Sequence, residues 1–321
     1  NKTDKSFSLI LGGRYDVVTY YNEVYFDGGE NKRMSEDKSY KHFTPKVGLT
    51  YRFAKNASVY CNMGGGVEVP AGNETDPVST FSDDTVHLVN SLLEPIVSTT
   101  FEFGNKGRLD FSGFAKRFDW DVAMYYISTK NELVPYSGGT FYLSAGKTVR
   151  MGLELGASAA FDYGLNISAA ITASSNKYDE YKVDSVHYGN ANASVDYKDN
   201  KIAGIPDIYY NCSVRWTPSF FNYVFAEVNA QGVGKYFADD ANKYEVPEYT
   251  IVNISLGTSK EIFVSDNVYL KLFASANNIT DKKYAASAFV NPDLDKKTKL
   301  PVYLEAGLPR NFAFGLSIGW K

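Results

Sequence analysis

The chain has 321 residues, a formal net charge of −4, 44% apolar and 22% charged residues, which excludes a disordered polypeptide and a nucleic-acid partner held by phosphate neutralisation. Aromatic residues reach 15%, with 25 Tyr, 21 Phe and 3 Trp. No run of ~18 apolar residues occurs, which excludes a transmembrane helix and leaves open a β-barrel, whose lipid-facing residues alternate with polar ones.

Period two dominates from the first segment onward. Alternation predicts strands at about 6–20, 43–55, 57–69, 95–104 and 117–133. It is then unbroken. Val149, Met151, Leu153, Leu155, Ala157, Ala159 and Phe161 oppose Arg150, Gly152, Glu154, Gly156, Ser158 and Ala160. Leu165, Ile167, Ala169, Ile171 and Ala173 form the next apolar face, and Ile208, Tyr210, Cys212, Val214 and Trp216 the one after. Weaker strands at about 222–237 and 250–264 lead to Val268, Leu270, Leu272, Ala274 and Ala276. The chain ends on Phe312, Phe314, Leu316, Ile318 and Trp320 opposite Asn311, Ala313, Gly315, Ser317, Gly319 and Lys321. An amphipathic helix would repeat at three and four residues, so these are strands, about twelve in all and many long enough to cross a membrane at a tilt.

The connections alternate in length. Short turns are predicted at Lys55-Asn56, Gly104-Asn105-Lys106-Gly107, Asp162-Tyr163-Gly164, Pro218-Ser219 and Ser265-Asp266-Asn267. Long polar connections lie at about 21–42, 70–94, 134–147, 177–207, 238–249 and 279–310. Short loops on one side and long ones on the other are the habit of outer-membrane barrels. Tyr15, Tyr51, Trp120, Tyr125, Tyr126, Trp216 and Trp320, near strand ends, suit interfacial aromatic girdles. Cys61 and Cys212 fit no zinc spacing, and a disulfide between them stays open. Gly64-Gly65-Gly66 lacks the Lys-Ser/Thr of a phosphate loop and reads as close backbone packing in a strand. No nucleophile motif appears around any of the three His, so no enzyme is expected, and no cofactor or metal site is predicted.

Several segments resemble motifs of the TonB-dependent outer-membrane receptors. Gly13-Arg14-Tyr15-Asp16 is similar to that family's GxRYD strand, and Phe43 to Tyr51 (FTPKVGLTY) to its FxPKxGLxY. Asn90 to Pro95, leading to Phe101-Glu102-Phe103-Gly104, resembles NPxLxPExSxxYExG, and Val149 to Glu154 resembles xRRxGxE. Asn200 to Pro206 resembles GxxLxGxP, and Asn277-Asn278-Ile279-Thr280-Asp281-Lys282-Lys283-Tyr284 resembles xNNLxDKxY. Gly307 to Phe312 is similar to the PGxPRNF that opens the last strand. The resemblance runs through residues 10–315 in the family's order.

That resemblance implies an all-β fold, an antiparallel transmembrane barrel, with residues 1–321 as the C-terminal part of the barrel domain: about twelve of 22 strands, without the plug domain. The start at Asn1, without an initiator Met, predicts that a segment has been removed ahead of it. The implied function is binding of a scarce nutrient, most often a ferric siderophore, at the outer loops, and import driven through the plug by TonB-ExbB-ExbD. Outer-membrane lipid and lipopolysaccharide, the plug and the remaining strands are the other expected partners. Loop residues Tyr20, Tyr25, Tyr40, Tyr136, Tyr188 and Tyr236 could grip a planar ligand and Arg117 its negative charge; ordinary loop packing is the alternative for each. His87 lies where haem receptors of the family carry a ligand, although the FRAP box of those receptors is replaced by Val67-Glu68-Val69-Pro70. Arg14, Arg150, Glu154 and Arg215 are expected to line the lumen and hold the plug. The competing readings are a haem or cobalamin receptor, a self-contained twelve-stranded pore or enzyme, and a soluble β-sandwich. Pairing of 6–20 with 311–321 would identify the self-contained barrel.

Overall fold

The computed structural model describes residues 5–26, 32–70, 94–136, 141–183, 194–221, 223–292, 297 and 304–320, with 24–26, 32–36, 135–136 and 141–144 described by backbone alone. Twelve long strands follow one another: β1 (Ser6–Phe26), β2 (Lys32–Ala54), β3 (Ala57–Glu68), β4 (Ile96–Asp110), β5 (Ala115–Tyr136), β6 (Phe141–Phe161), β7 (Leu165–Glu180), β8 (Ile208–Trp216), β9 (Val224–Val233), β10 (Tyr249–Thr258), β11 (Val268–Asn277) and β12 (Asn311–Trp320). Each pairs antiparallel with the next, so the sheet is a meander in chain order. Among the described residues β1 and β12 do not pair with each other, and the sheet is open. The pairing that would identify a self-contained twelve-stranded barrel is thus not seen among the described residues.

The alternation sets the two faces. On β12 the apolar set is almost fully bare, Phe314 80% exposed and Trp320 77%. Directly opposite residues share a face, so the pairing of Leu272 with Leu316 and of Lys271 with Ser317 extends one apolar and one polar surface from strand to strand. The indole nitrogen of Trp120 donates to Asn105 Oδ1 at 2.6 Å and that of Trp216 to the Tyr163 carbonyl at 3.1 Å. Both rings lie on the apolar face with their polar atoms satisfied, as an interfacial anchor requires.

Three sequence expectations change. The glycine-rich segment at 104–107 is not a turn: β4 runs straight through it and the connection is 111–114. These glycines are needed for sheet packing. Gly104 lies directly opposite Tyr60 and Gly107 directly opposite Trp120, and a Cβ on either would overlap the facing ring. Tyr125 takes the same role. It sits on the polar face across from Gly152, where a Cβ would lie 2.6 Å from the Tyr125 hydroxyl, and so it does not join the girdle. Phe225 over Gly257 and Phe273 over Gly315 repeat the arrangement. Third, the connections at 21–42 and 134–147 are largely strand, because β1, β2, β5 and β6 run 21 to 23 residues, about twice what a membrane crossing needs. Cys61 and Cys212, whose pairing the sequence left open, are both free thiols.

The short connections at 55–56, 111–114, 162–164, 217–223 and 259–267 lie at one end of the meander. At 162–164 the chain reverses through Tyr163 (φ 62°) and Gly164 (φ 79°). A side chain at 164 would overlap the Thr217 carbonyl, so this turn demands glycine. The other end carries the long connections, with short strand pairs at Lys182–Val183 with Val195–Asp196, Tyr236–Phe237 with Glu245–Val246, and Ala285–Ala288 with Leu304–Ala306.

Candidate functional site

The long-connection end contains the two apolar cores found among the described residues. One gathers Val134, Ala145, Tyr178, Tyr181, Val183 and Ile202, the other Tyr236, Ala238 and Val246. An isolated loop cannot bury such a set, so the loops must pack on one another.

Asp240 ties them together. Its carboxylate accepts the Tyr178 hydroxyl at 2.5 Å, the Tyr181 hydroxyl at 3.2 Å and Asn291 Nδ2 at 2.9 Å. Its backbone carbonyl accepts Asn200 Nδ2 at 2.7 Å, and its amide donates to Asn291 Oδ1 at 3.0 Å. Four chain segments therefore meet at one residue that is 1% exposed. Asn242 adds a second joint, donating to the Lys201 carbonyl at 2.9 Å and accepting the Lys201 amide at 2.8 Å. Asn242 and Asn291 have φ of 55° and 48°, a conformation that asparagine tolerates better than most residues.

The Asn277-Asn278 motif is a third joint. Asn278 accepts the Lys282 amide at 2.9 Å and donates to the Lys282 and Leu308 carbonyls at 2.9 and 3.1 Å. Asn277 donates to Asn311 at 2.9 Å, and Asp281 accepts the Arg310 amide at 2.9 Å. The two motif segments thus hold each other at the root of the last long connection.

Tyr20 and Tyr40 meet edge to face, 6.1 Å between centroids, with the Lys38 ammonium 5.2 Å from the Tyr40 ring. Tyr40 is buried and Tyr20 half-buried. Tyr236 is buried within the second core, and burial, with Tyr249 and Tyr209 beside it, raises its hydroxyl pKa above 10.0. Tyr209 and Tyr249 each pair with Val233 and lie on the polar face, Tyr209 45% exposed, and the Tyr249 ring sits 4.4 Å from that of Tyr284. Arg117 does not reach this end. It follows the short connection at 111–114 and pairs with Asp119 at 2.9 Å, which Arg108 holds from the other side at 2.6 Å. His87 and Tyr188 lie outside the described residues, as do the side chains of Tyr25 and Tyr136.

The four charges expected in the lumen all fall on the polar face. Arg14 pairs with Asp16 at 2.8 Å. Arg215 pairs with Glu227 at 3.0 Å and stacks 3.7 Å from the Phe225 centroid. Arg150 donates to Glu132 and to Thr148, and Thr148 also donates to Glu132. Glu132 reaches that face because Asn131, at φ 59°, breaks the alternation of β5. Glu154 has no ion-pair partner among the described residues. Sequence reasoning missed Asp240, Asn242 and Asn291, and the turn-forming pairs Asp239-Asp240 and Asn291-Pro292 were the available signal. Among the described residues no three His, Cys, Asp or Glu side chains converge as metal ligands.

The family described as "TonB dependent receptor-like, beta-barrel" matches residues 2–279. The ferrioxamine receptor of Yersinia enterocolitica is 25% identical over 296 residues, covering 88% of this chain and 35% of that protein. The ferrichrome outer membrane transporter/phage receptor of Escherichia coli K12 is 24% identical over 288 residues, 88% of this chain and 33% of that protein. The chain therefore spans about a third of the length of these curated relatives. Among solved structures, the siderophore receptor PiuA from Acinetobacter baumannii superposes with a TM-score of 0.70 at 20% identity, over 98% of this chain and 41% of that one.

Proposed function

The chain belongs to the TonB-dependent receptor-like β-barrel family, and from that premise we propose that it is part of an outer-membrane receptor that binds a ferric siderophore at its long-connection end and imports it with TonB-coupled energy. The observation that carries the reading is the family match over residues 2–279 of a sheet that exposes large apolar side chains from β1 (Phe7, Leu9) to β12 (Phe314, Trp320). Lipid is the solvent in which such a face is stable, and alternating strands are one of only two ways a backbone crosses it satisfied.

In this receptor the polar face lines the lumen, and the open edges of β1 and β12 pair with the remaining strands of the barrel. Arg14, Arg150, Glu154 and Arg215 face the plug. The ion pairs already made by the three arginines leave Glu154 the charge most in need of a plug partner. Tyr20 and Tyr209, the more open rings, meet the ligand; Tyr40 and Tyr236 stand behind them and fix the wall. The relatives named for ferrioxamine and ferrichrome make these two iron chelates the first to try.

The test is growth of a deletion strain on a panel of iron sources under iron starvation. Growth on one ferric chelate should be lost and should return with the full-length gene. Unchanged growth on every ferric siderophore overturns the assignment.

A further inference from the structure

Charge is spread unevenly over the polar face. On β2 to β6 that face carries Lys46, Arg52, Glu102, Lys106, Asp121 and Glu154, with Lys106 and Asp121 directly opposite each other. On β7 from Asn166 to Asn176, and on β8 to β12, its only charges are Arg215, Glu227 and Lys271, all near the short-turn end. Arg215 and Glu227 are directly opposite and ion-paired, and the guanidinium also lies 3.7 Å from the Phe225 centroid. Both charges are thus already satisfied.

Toward the long-connection end from that pair, the wall offers hydroxyls and amides alone as polar groups. Ser168, Ser213, Asn229 and Asn253 are directly opposite one another, a single row across β7 to β10. Asn211 and Gln231, both exposed, form the next row. The Ser168 and Ser213 hydroxyls lie 2.8 Å apart, and Asn229 donates to Asn211 Oδ1 at 3.0 Å. Along β8, Tyr209, Asn211, Ser213 and Arg215 occupy alternate positions. A column therefore descends from the Tyr209 ring to the ion pair, about 14 Å of rise at ~3.3 Å per residue and a tilt of ~45°.

The strength of the contacts separates the two walls. A hydrogen bond to a charged group is roughly twice as strong as one between neutral groups, and a buried charge stripped of its partner is costlier still. A plug seated in the lumen is held hardest along β1 to β6 and gives way most readily along β7 to β10. A ligand moving down the uncharged wall exchanges one weak hydrogen bond for the next and meets no deep well, which is the condition for passage through a pore.

We propose that the imported chelate leaves Tyr209 along this column, with Asn211 and Gln231 as its first contacts, and that the column passes uncharged, hydrogen-bonding ferric chelates. The inference rests on the receptor reading above and adds to it the route and the charge class of the ligand.

The test follows radioiron-labelled ferrichrome, a neutral tris-hydroxamate, into cells of the deletion strain that carry the full-length receptor. Asn211→Asp keeps the acceptor oxygen that Asn229 uses and adds one charge to the column. It should slow energised uptake about tenfold, the difference between a neutral and a charge-assisted hydrogen bond, while binding to unenergised cells keeps the wild-type affinity. Asn211→Ser, which stays neutral, should remain within about twofold of wild type, as a residue needed only for wall shape would not. Thr50→Asp, on the charged wall opposite Ser8 and Tyr60, should also stay within about twofold. Equal uptake by wild type and Asn211→Asp, or an equal loss in Thr50→Asp, overturns the route. Uptake by wild type of an anionic ferric tris-catecholate but not of ferrichrome overturns the charge class. Uptake of no ferric chelate overturns the function reading instead, so the failures are distinguishable.

Discussion

The Asp239-Asp240 pair marks a turn at Asp240, but its partners lie 40 to 62 residues away in the chain. No local pattern could have identified its joining role, because that role exists only once four segments converge. The prediction at this scale follows from the cost of leaving such donors buried without an acceptor. Replacing Asp240 by Ala should loosen the packed loops of the long-connection end, the crown of the sheet, locally by about 2–3 kcal/mol, with a smaller loss in Asp240→Asn, which keeps one acceptor oxygen. Hydrogen–deuterium exchange would read it as faster exchange at Tyr197, Ile202 and Asn291, whose amides bond within the crown, while β9 and β10 stay protected. Tyr236 supplies a pH dependence. Its folded pKa is raised by burial above 10.0, so the folded crown holds the phenol proton more tightly than the unfolded chain does. Its contribution is complete below pH 10 and is lost as pH rises through the raised value. Absorbance titration near 295 nm should show a late-ionising tyrosine that is missing in Tyr236→Phe. Sequence reasoning marked Tyr236 and Tyr40 as candidates for gripping a ligand, with ordinary loop packing as the alternative, because tyrosine in a polar connection looks available; the structure buries both.

At the scale of the strand, the sequence is most legible where the period is strictest. From Val149 to Phe161 and from Asn311 to Trp320 each face follows from parity alone, and the structure keeps it. Parity failed where glycine misled. The segment at 104–107 has turn composition, yet its glycines are the floor beneath Tyr60 and Trp120, and a ring lying flat over a facing glycine cannot be told from a turn without knowing the register. Parity also breaks at Asn131, where a left-handed residue turns Glu132 toward Arg150. The two faces of β6 give a paired prediction. Leu155, on the apolar face opposite Val122 and Ile171, lies near the middle of the band, and Leu155→Arg should cost about 2–4 kcal/mol. Ser158→Gln, three residues away on the polar face, should leave folding within about 0.5 kcal/mol. Urea unfolding of the receptor in lipid vesicles, read by Trp fluorescence, measures both. Equal effects would mean that the faces are reversed.

For the whole molecule, the open edges matter most. β1 and β12 each leave one row of backbone groups unpaired within the described residues, and in lipid an unpaired row is prohibitively costly. In a closed barrel of twelve strands these edges would be neighbours about 4.8 Å apart; in the larger barrel proposed here, strands outside this chain separate them across the lumen. Composition and alternation carry no information on this choice, since both barrels use the same local pattern, and only the family resemblance pointed to the larger one. Cysteine pairs decide it. In full-length receptor with Cys61 and Cys212 replaced by Ser, Ser8→Cys on β1 is combined in turn with Ala313→Cys and Ser317→Cys on the polar face of β12. No disulfide should form under mild oxidation in the membrane, because the sulfurs cannot approach within the ~4 Å Cβ separation a disulfide requires. A control pair across β11 and β12, Lys271→Cys with Ser317→Cys, is directly opposite in the register and should form one. An edge-to-edge disulfide as efficient as the control would mean that β1 and β12 close on each other, and would replace a shared wall around a plug by a narrow pore.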